Sequence, residues 1–276
     1  MIDLSHHLFS FAQWHGHGLI KIVIFLIIWG VVWLPIAIPL ARLIRWHPSA
    51  PLTNSQKLTL ITSLYLIAPL LAWGVMGKEG LNQIILISQA SIIKSISWTY
   101  VVAIITIVII DSLQWLMGWW QWQKPSLTWQ DSLISVVSIF LVSLLVGGIE
   151  ELMFRGVFVA FLRDSFPLWG VAIISSVIFA LLHLVWEREN SLPQLPGLFL
   201  MGLVLFYAVT LNGGNITTAI GLHGGWVFSI ASLDTLNCYE YTGKVSSFWC
   251  GKKGEPLASV AGVMVLLLTV VILMNN

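Results

Sequence analysis

Charge is scarce in this chain: Asp, Glu, Lys and Arg make up 9% of its 276 residues, whereas 58% are hydrophobic and the formal net charge is +1. A soluble domain needs a much richer ionic surface to stay dispersed, so that class is excluded and most of the chain must have lipid as its solvent. No cluster of Lys and Arg occurs. Nothing is therefore present to neutralise a phosphate backbone, and nucleic acid is excluded as a partner. Cysteine is limited to Cys238 and Cys250, both in one polar loop, where a disulfide would require an oxidising compartment. Internal repeats, low-complexity tracts and inter-domain linkers are lacking too. So is a cleavable signal peptide: residues 1–18 are polar and dotted with histidine, and the apolar run after them holds prolines and reaches Arg42 without a small-residue cleavage site. The first hydrophobic segment is expected to be retained.

What the chain has is a series of apolar stretches, each near the length of about 20 residues that crosses a ~30 Å hydrocarbon layer as helix. Eight are expected: Leu19–Leu40 with Pro35 and Pro39, Leu58–Met76 with Pro69, Thr99–Trp119, Ser132–Leu162, Trp169–Trp186, Leu195–Leu211, Ile216–Leu233 and Leu257–Met274. Asn212-Gly213-Gly214-Asn215 is a turn signal between the sixth and seventh. Between Leu81 and Ser97 isoleucines alternate with polar residues, which predicts an interfacial amphipathic helix. The fold class is thus an all-α integral membrane protein, with about eight helices bundled around an intramembrane cavity. Residues 1–131 form the N-terminal helices with the interfacial one, 132–233 a core, and 234–276 a polar loop and last helix. Many of the 15 tryptophans sit where apolar runs end (Trp14, Trp46, Trp98, Trp119, Trp120, Trp122, Trp186, Trp249), as expected for headgroup anchors. With eight crossings, one side holds Arg42, Arg45, Lys57, Lys124, Arg188, Lys244, Lys252 and Lys253, and the other only Lys78, Lys94 and Arg163. The positive-inside bias puts the richer side in the cytoplasm and both termini outside. It also puts both cysteines in a reducing compartment, against a disulfide.

Charges inside apolar spans cost on the order of 2.5–3.5 kcal/mol each on insertion scales, so each needs a partner or a function. The fourth span carries Glu150, Glu151 and Arg155 within six residues. Helical geometry sets Glu151 and Arg155 one turn apart, acid first, the favoured order for an ion pair. Glu150 lies about 100° round the helix and is left as the acid available for chemistry. A carboxylate in a low-dielectric cavity tends toward the range useful for a general base. The fifth span offers His183 one turn after Phe179, and the seventh His223 ahead of Gly224, Gly225 and Trp226, where small residues allow close approach. Alone, either histidine reads as structural. Together with Glu150 they can hold one water, remove its proton and offer donors to an oxyanion, the minimum for amide hydrolysis.

Glu-Glu-x-x-x-Arg at 150–155, Phe-x-x-x-His at 179–183 and the later His223 resemble the three motifs of the CPBP family, the CAAX proteases and bacteriocin-processing proteins, also called the ABI family. It includes the type II CAAX prenyl endopeptidases. The resemblance covers roughly Ser132 to Leu233. It implies that Glu150 is the general base, that His183 helps to position the water, that His223 binds the oxyanion, and that Glu151 and Arg155 support the motif, with Phe179 beside them. One departure stands out. The third motif usually has Asn or Asp four residues after its histidine, and this chain has Val227. Asn212 and Asn215 are polar candidates nearby in sequence.

The reading is an intramembrane endopeptidase acting on a membrane-associated protein or peptide, in lipid, in a bacterial-type plasma membrane, with no cofactor. Alternatives remain. Glu150, His183 and His223 are also an accepted set of ligands for catalytic zinc, although no His-Glu-x-x-His cluster occurs. A catalytically inactive scaffold or immunity protein of the same fold fits Val227, and a proton-relay transporter fits the buried charges. Asp111, in the third span, is expected to hydrogen-bond between helices or pair with Arg155. His6, His7, His15 and His17 form a histidine-rich tract of the kind that can bind metal but usually holds nothing specific.

Overall fold

The computed structural model describes residues 16–47, 49–85, 89–125, 127–253 and 255–275. His6, His7, His15 and Trp14 lie outside them. In chain order the helices are α1 (Gly18–Leu43), α2 (Asn54–Ile84), α3 (Gln89–Leu116), α4 (Trp129–Glu151), α5 (Phe158–Arg163), α6 (Leu168–Leu182), α7 (Leu184–Ser191), α8 (Leu195–Leu211), α9 (Thr217–Leu236), α10 (Ser247–Cys250) and α11 (Val260–Met274). A π-helical segment, Leu152–Val157, joins α4 to α5. Among the described residues five helical stretches are long and apolar enough to cross a membrane: Gly18–Leu43, Asn54–Ile84, Ala90–Leu116, Trp129–Arg163 and Leu184–Leu211. Two shorter apolar helices, Leu168–Leu182 and Val260–Met274, accompany them. The protein is an all-α integral membrane protein. Helix α9 is long enough at 20 residues but is not among the five. Glycines, hydroxyls and His223 dilute its hydropathy, and its partners in the fold take the place of lipid.

The residues fall into two compact units. The first comprises Met1–Ile84 and Leu152–Val171. Helix α1 runs unbroken through Pro35 and Pro39, as prolines can in membrane helices whose neighbours re-satisfy the freed carbonyls. One of its faces buries Ile22 and Phe25, with Phe25 edge-on to Phe158 and Phe161 of α5. Gly18 donates its backbone N–H to the Ser165 hydroxyl at 2.8 Å. Helix α2 is interrupted at Gly77, whose φ of 64° lies in the left-handed region that glycine tolerates, so its regular part stops at Met76.

The second unit comprises Ile85–Glu151 and Ala172–Asn276. Helix α9 lies at its centre, packed on α3, α4 and α8, and α11 completes the cluster against α3 and α8. Small residues permit this. A Cβ on Gly225 would stand 2.5 Å from the Tyr100 carbonyl oxygen and 2.6 Å from Ala103 Cβ, and one on Gly147 would stand 2.9 Å from the Gly224 nitrogen. The Tyr100 and Ser143 hydroxyls meet at 2.9 Å between α3 and α4.

Several expectations are corrected. The stretch Leu81–Ser97 is not one interfacial helix. Helix α2 ends at Ile84, and Gln89–Ser97 is the first part of α3, because the same polar residues that suggested a surface face are accommodated along a longer helix. The fifth span stops at Leu182, and His183 begins a turn into α7, where Glu187 departs from helical geometry. The chain also holds a two-stranded antiparallel ribbon. Strands β1 (Trp120–Trp122) and β2 (Tyr239–Tyr241) pair Trp120 with Tyr241 and Trp122 with Tyr239. Trp120 is buried, its indole N–H donating to the Asp111 carbonyl at 3.0 Å, so it is not a headgroup anchor. Cys238 and Cys250 are free thiols, the latter buried.

Candidate active site

A glycine-lined contact sets the geometry. Gly147 of α4 meets Gly224 of α9 with no side chain between them, so the residues one turn beyond Gly147 and just before Gly224 must face each other. Those residues are Glu150 and Glu151 on α4 and His223 on α9. His223 Nδ1 lies 2.8 Å from Glu151 Oε1, and His223 Nε2 lies 3.8 Å from Glu150 Oε2. The two carboxylates therefore address one imidazole from its two nitrogens. Their 100° separation round the helix directs them to opposite edges of the ring.

His183 comes from the end of α6. Its Nδ1 is 2.8 Å from the Phe179 carbonyl oxygen. A carbonyl only accepts, so Nδ1 carries the hydrogen and Nε2 is the nitrogen turned to the site. That Nε2 stands 4.0 Å from Glu150 Oε2. Phe179 is fully buried and its ring meets both imidazoles edgewise, with centroids 4.7 Å from His183 and 5.9 Å from His223. The aromatic expected beside the motif is the wedge that keeps the two rings apart.

Glu150, His183 and His223 are thus brought together, with Phe179 and Glu151 behind them. Both gaps from Glu150 exceed a direct hydrogen bond and suit a bridging water. Such a water would have an acceptor carboxylate on one side and imidazole nitrogens on the other. The backbone widens into a π turn directly after Glu151, and the Glu151 carboxylate is turned to His223. Arg155 is buried within the π segment, its guanidinium 5.9 Å from the Phe154 ring centre.

A cavity of about 480 Å³ in the second unit reaches both histidines. Its walls are mainly apolar, with Ile107, Leu198, Trp226 and Val227 among them, and its other end runs to Tyr239 and Tyr241 of the ribbon. Val227 does line it, so a residue without a donor occupies that wall. Asn212 and Asn215 do not. They cap the start of α9, where the Asn215 side chain accepts the Thr217 N–H at 3.0 Å and Asn212 donates to the Asn215 carbonyl. Asp111 lines the cavity and accepts from Gln114 of its own helix at 3.2 Å instead of bridging two helices. His17 begins α1 and packs edge-on to Phe166. Among the described residues no group of three or more His, Cys, Asp or Glu side chains is arranged to hold a metal ion.

The ribbon is a part of this region that sequence reasoning missed. The alternation Trp-Gln-Trp and Tyr-Glu-Tyr is a strand signal, but in an apolar chain Trp120 and Trp122 also fit headgroup anchors.

Helices of membrane-spanning length define the class: an integral membrane protein, here with two carboxylates and two imidazoles gathered beside an apolar cavity. Residues 132–229 match the family model of the type II CAAX prenyl endopeptidases described as Rce1-like. Over that stretch the chain is similar to the CAAX protease (CPBP) family. The matched stretch contains Glu150, Glu151, Phe179, His183 and His223. No curated protein and no solved structure matches the chain.

Proposed function

We propose that the protein is an intramembrane endopeptidase that hydrolyses a peptide bond of a membrane-associated protein or peptide by glutamate-activated water. The observation that carries this reading is the convergence of Glu150 Oε2 with His183 Nε2 and His223 Nε2, at 4.0 and 3.8 Å, beside an apolar cavity. In the reaction, a water held between Glu150 and His183 gives its proton to the Glu150 carboxylate, and the hydroxide adds to the scissile carbonyl carbon. The tetrahedral oxyanion takes a hydrogen bond from His223 Nε2, a donation that requires both nitrogens of that ring to carry hydrogen. Glu151 accepts from Nδ1 and offsets the charge of the doubly protonated ring. Collapse of the intermediate breaks the C–N bond, and the proton on Glu150 passes to the leaving amine. His183 orients the water, its own tautomer set by the Phe179 carbonyl.

The substrate enters from lipid and nucleic acid has no part. The membrane is of the bacterial plasma type, and the reaction needs no metal. CAAX-type processing is the activity to which the family match points. Mapping of new protein N-termini in membranes from cells with wild type, Glu150→Gln or no copy of the gene tests this. Termini present only with wild type establish proteolysis and name the substrates. Their survival in EDTA separates the metal-free reaction from a zinc-dependent one. The second reading, an inactive scaffold or immunity protein, is favoured by one observation, Val227 lining the cavity where a donor would serve. It predicts identical termini in all three samples and an unchanged phenotype for Glu150→Gln.

A further inference from the structure

Among the described residues, three side chains that line the cavity bury a polar atom without a hydrogen-bond partner: the Gln114 carbonyl oxygen, the Trp226 indole nitrogen and the Ser232 hydroxyl. In an apolar cavity such atoms are costly unless a ligand completes them. For Gln114 the amide is oriented by its own N–H₂, which donates to Asp111 and leaves the oxygen over. Trp226 differs in being next to the chemistry. It lies three residues after His223 on α9, on the same side of the helix, is 3% exposed, and carries a donor that cannot act as an acceptor. Val227, one residue on, lines the same cavity with no polar atom.

We infer that the indole N–H of Trp226 is a substrate-binding donor of this site: on substrate entry the ring turns and hydrogen-bonds a carbonyl oxygen of the peptide being cleaved, beside the donation from His223. The inference rests on the endopeptidase reading and adds to it a residue and a requirement. The substrate must bring a carbonyl acceptor into the cavity at the level of Trp226, which an extended peptide does and a hydrocarbon chain alone does not. An unpaired N–H in the resting protein that becomes paired only with substrate bound is a preorganised donor of the kind that favours the reacting state. It also gives Val227 a role, because a small apolar neighbour leaves the indole room to turn.

The test compares wild type, Trp226→Phe and the double variant Trp226→Phe/Val227→Asn, with Glu150→Gln as blank, by the rate at which Glu150-dependent N-termini appear in membranes. Thermal midpoints of the detergent-purified proteins are measured in parallel. Phenylalanine keeps the aromatic bulk and removes only the donor. The expected result is a loss of about 10- to 100-fold in Trp226→Phe at an unchanged midpoint, with most of it restored when asparagine supplies an amide from the adjacent position. A wild-type rate in Trp226→Phe overturns the inference and leaves the endopeptidase reading intact, as does a loss that the double variant fails to restore. Absence of Glu150-dependent termini in wild type removes the endopeptidase reading and the inference with it.

Discussion

Helices α1 and α9 are both long segments of a membrane protein, yet they are built on opposite principles. In α1 one stripe, Ile20, Val23, Ile27 and Val31, is half or more exposed, and Gly30 has no atom within 4 Å of where a Cβ would stand. Lipid can solvate that face whatever apolar side chain it carries, so the sequence there is constrained in hydropathy and hardly in shape. In α9 the run from Gly221 to Trp226 is buried throughout, and its glycines touch the backbones of neighbouring helices. That face is constrained in shape, to the volume of a single methyl group. It therefore carries the site: only backbones pressed this close can hold His223 within 2.8 Å of Glu151 and 3.8 Å of Glu150.

The comparison breaks first, and most severely, at Glu151. If this carboxylate only supported its helix, an isosteric amide would leave the chemistry intact. If it holds the proton on His223 Nδ1 and offsets the ring's charge, Glu151→Gln lowers the cleavage rate by about 10²-fold or more at an unchanged thermal midpoint. The separating measurement is the rate set beside the midpoint: an orienting carboxylate costs rate at an unchanged midpoint, whereas a merely structural one leaves the rate of the folded protein intact.

A paired substitution in the two helices reads packing directly. Gly225→Ala drives a methyl against the Tyr100 carbonyl and Ala103, so α9 must shift from α3, at a cost of about 1–3 kcal/mol. Gly30→Ala meets nothing and adds helix propensity, for a change within about 1 kcal/mol and of stabilising sign. Thermal unfolding in detergent should show the α9 variant melting lower and the α1 variant at or above wild type. Equal effects would mean that the two helices pack alike.

The same contrast explains what could be read from the sequence. Hydropathy identified α1 and α2 because lipid-facing helices announce themselves by composition. Glu150, His183 and His223 stood out because a charge or an imidazole in an apolar run needs a reason to be there. What escaped notice depended on relations between segments. The contact of Glu151 with His223 joins residues more than seventy positions apart, and no residue in Leu152–Val157 advertises the π segment that follows Glu151. The break at His183 follows from a helix that stops although the apolar residues continue to Trp186. The ribbon joins strands more than a hundred residues apart, so neither is stable or legible alone.

That ribbon supplies the smallest effect, and one outside the apolar spans. Burial, above all, pushes the Tyr239 hydroxyl well above its ordinary value, with Tyr241 and Asp234 adding to it. Burial likewise raises Tyr241, with Asp111 and Cys250 contributing. A phenol whose folded pKa exceeds the unfolded value of about 10 keeps its proton longer in the folded state. Above that pH the unfolded chain binds fewer protons than the folded one, so stability falls as pH rises. Below it the contribution is complete. The ribbon is therefore expected to loosen only in alkali, seen as faster amide exchange at Gln121 and Glu240 once pH passes about 10, while α1 exchanges no faster than hydroxide catalysis alone dictates. Tyr239→Phe removes one titrating group and should flatten the ribbon's excess rise. A ribbon that loosened near neutral pH, or one indifferent to this substitution, would mean that groups other than the two tyrosines set its stability.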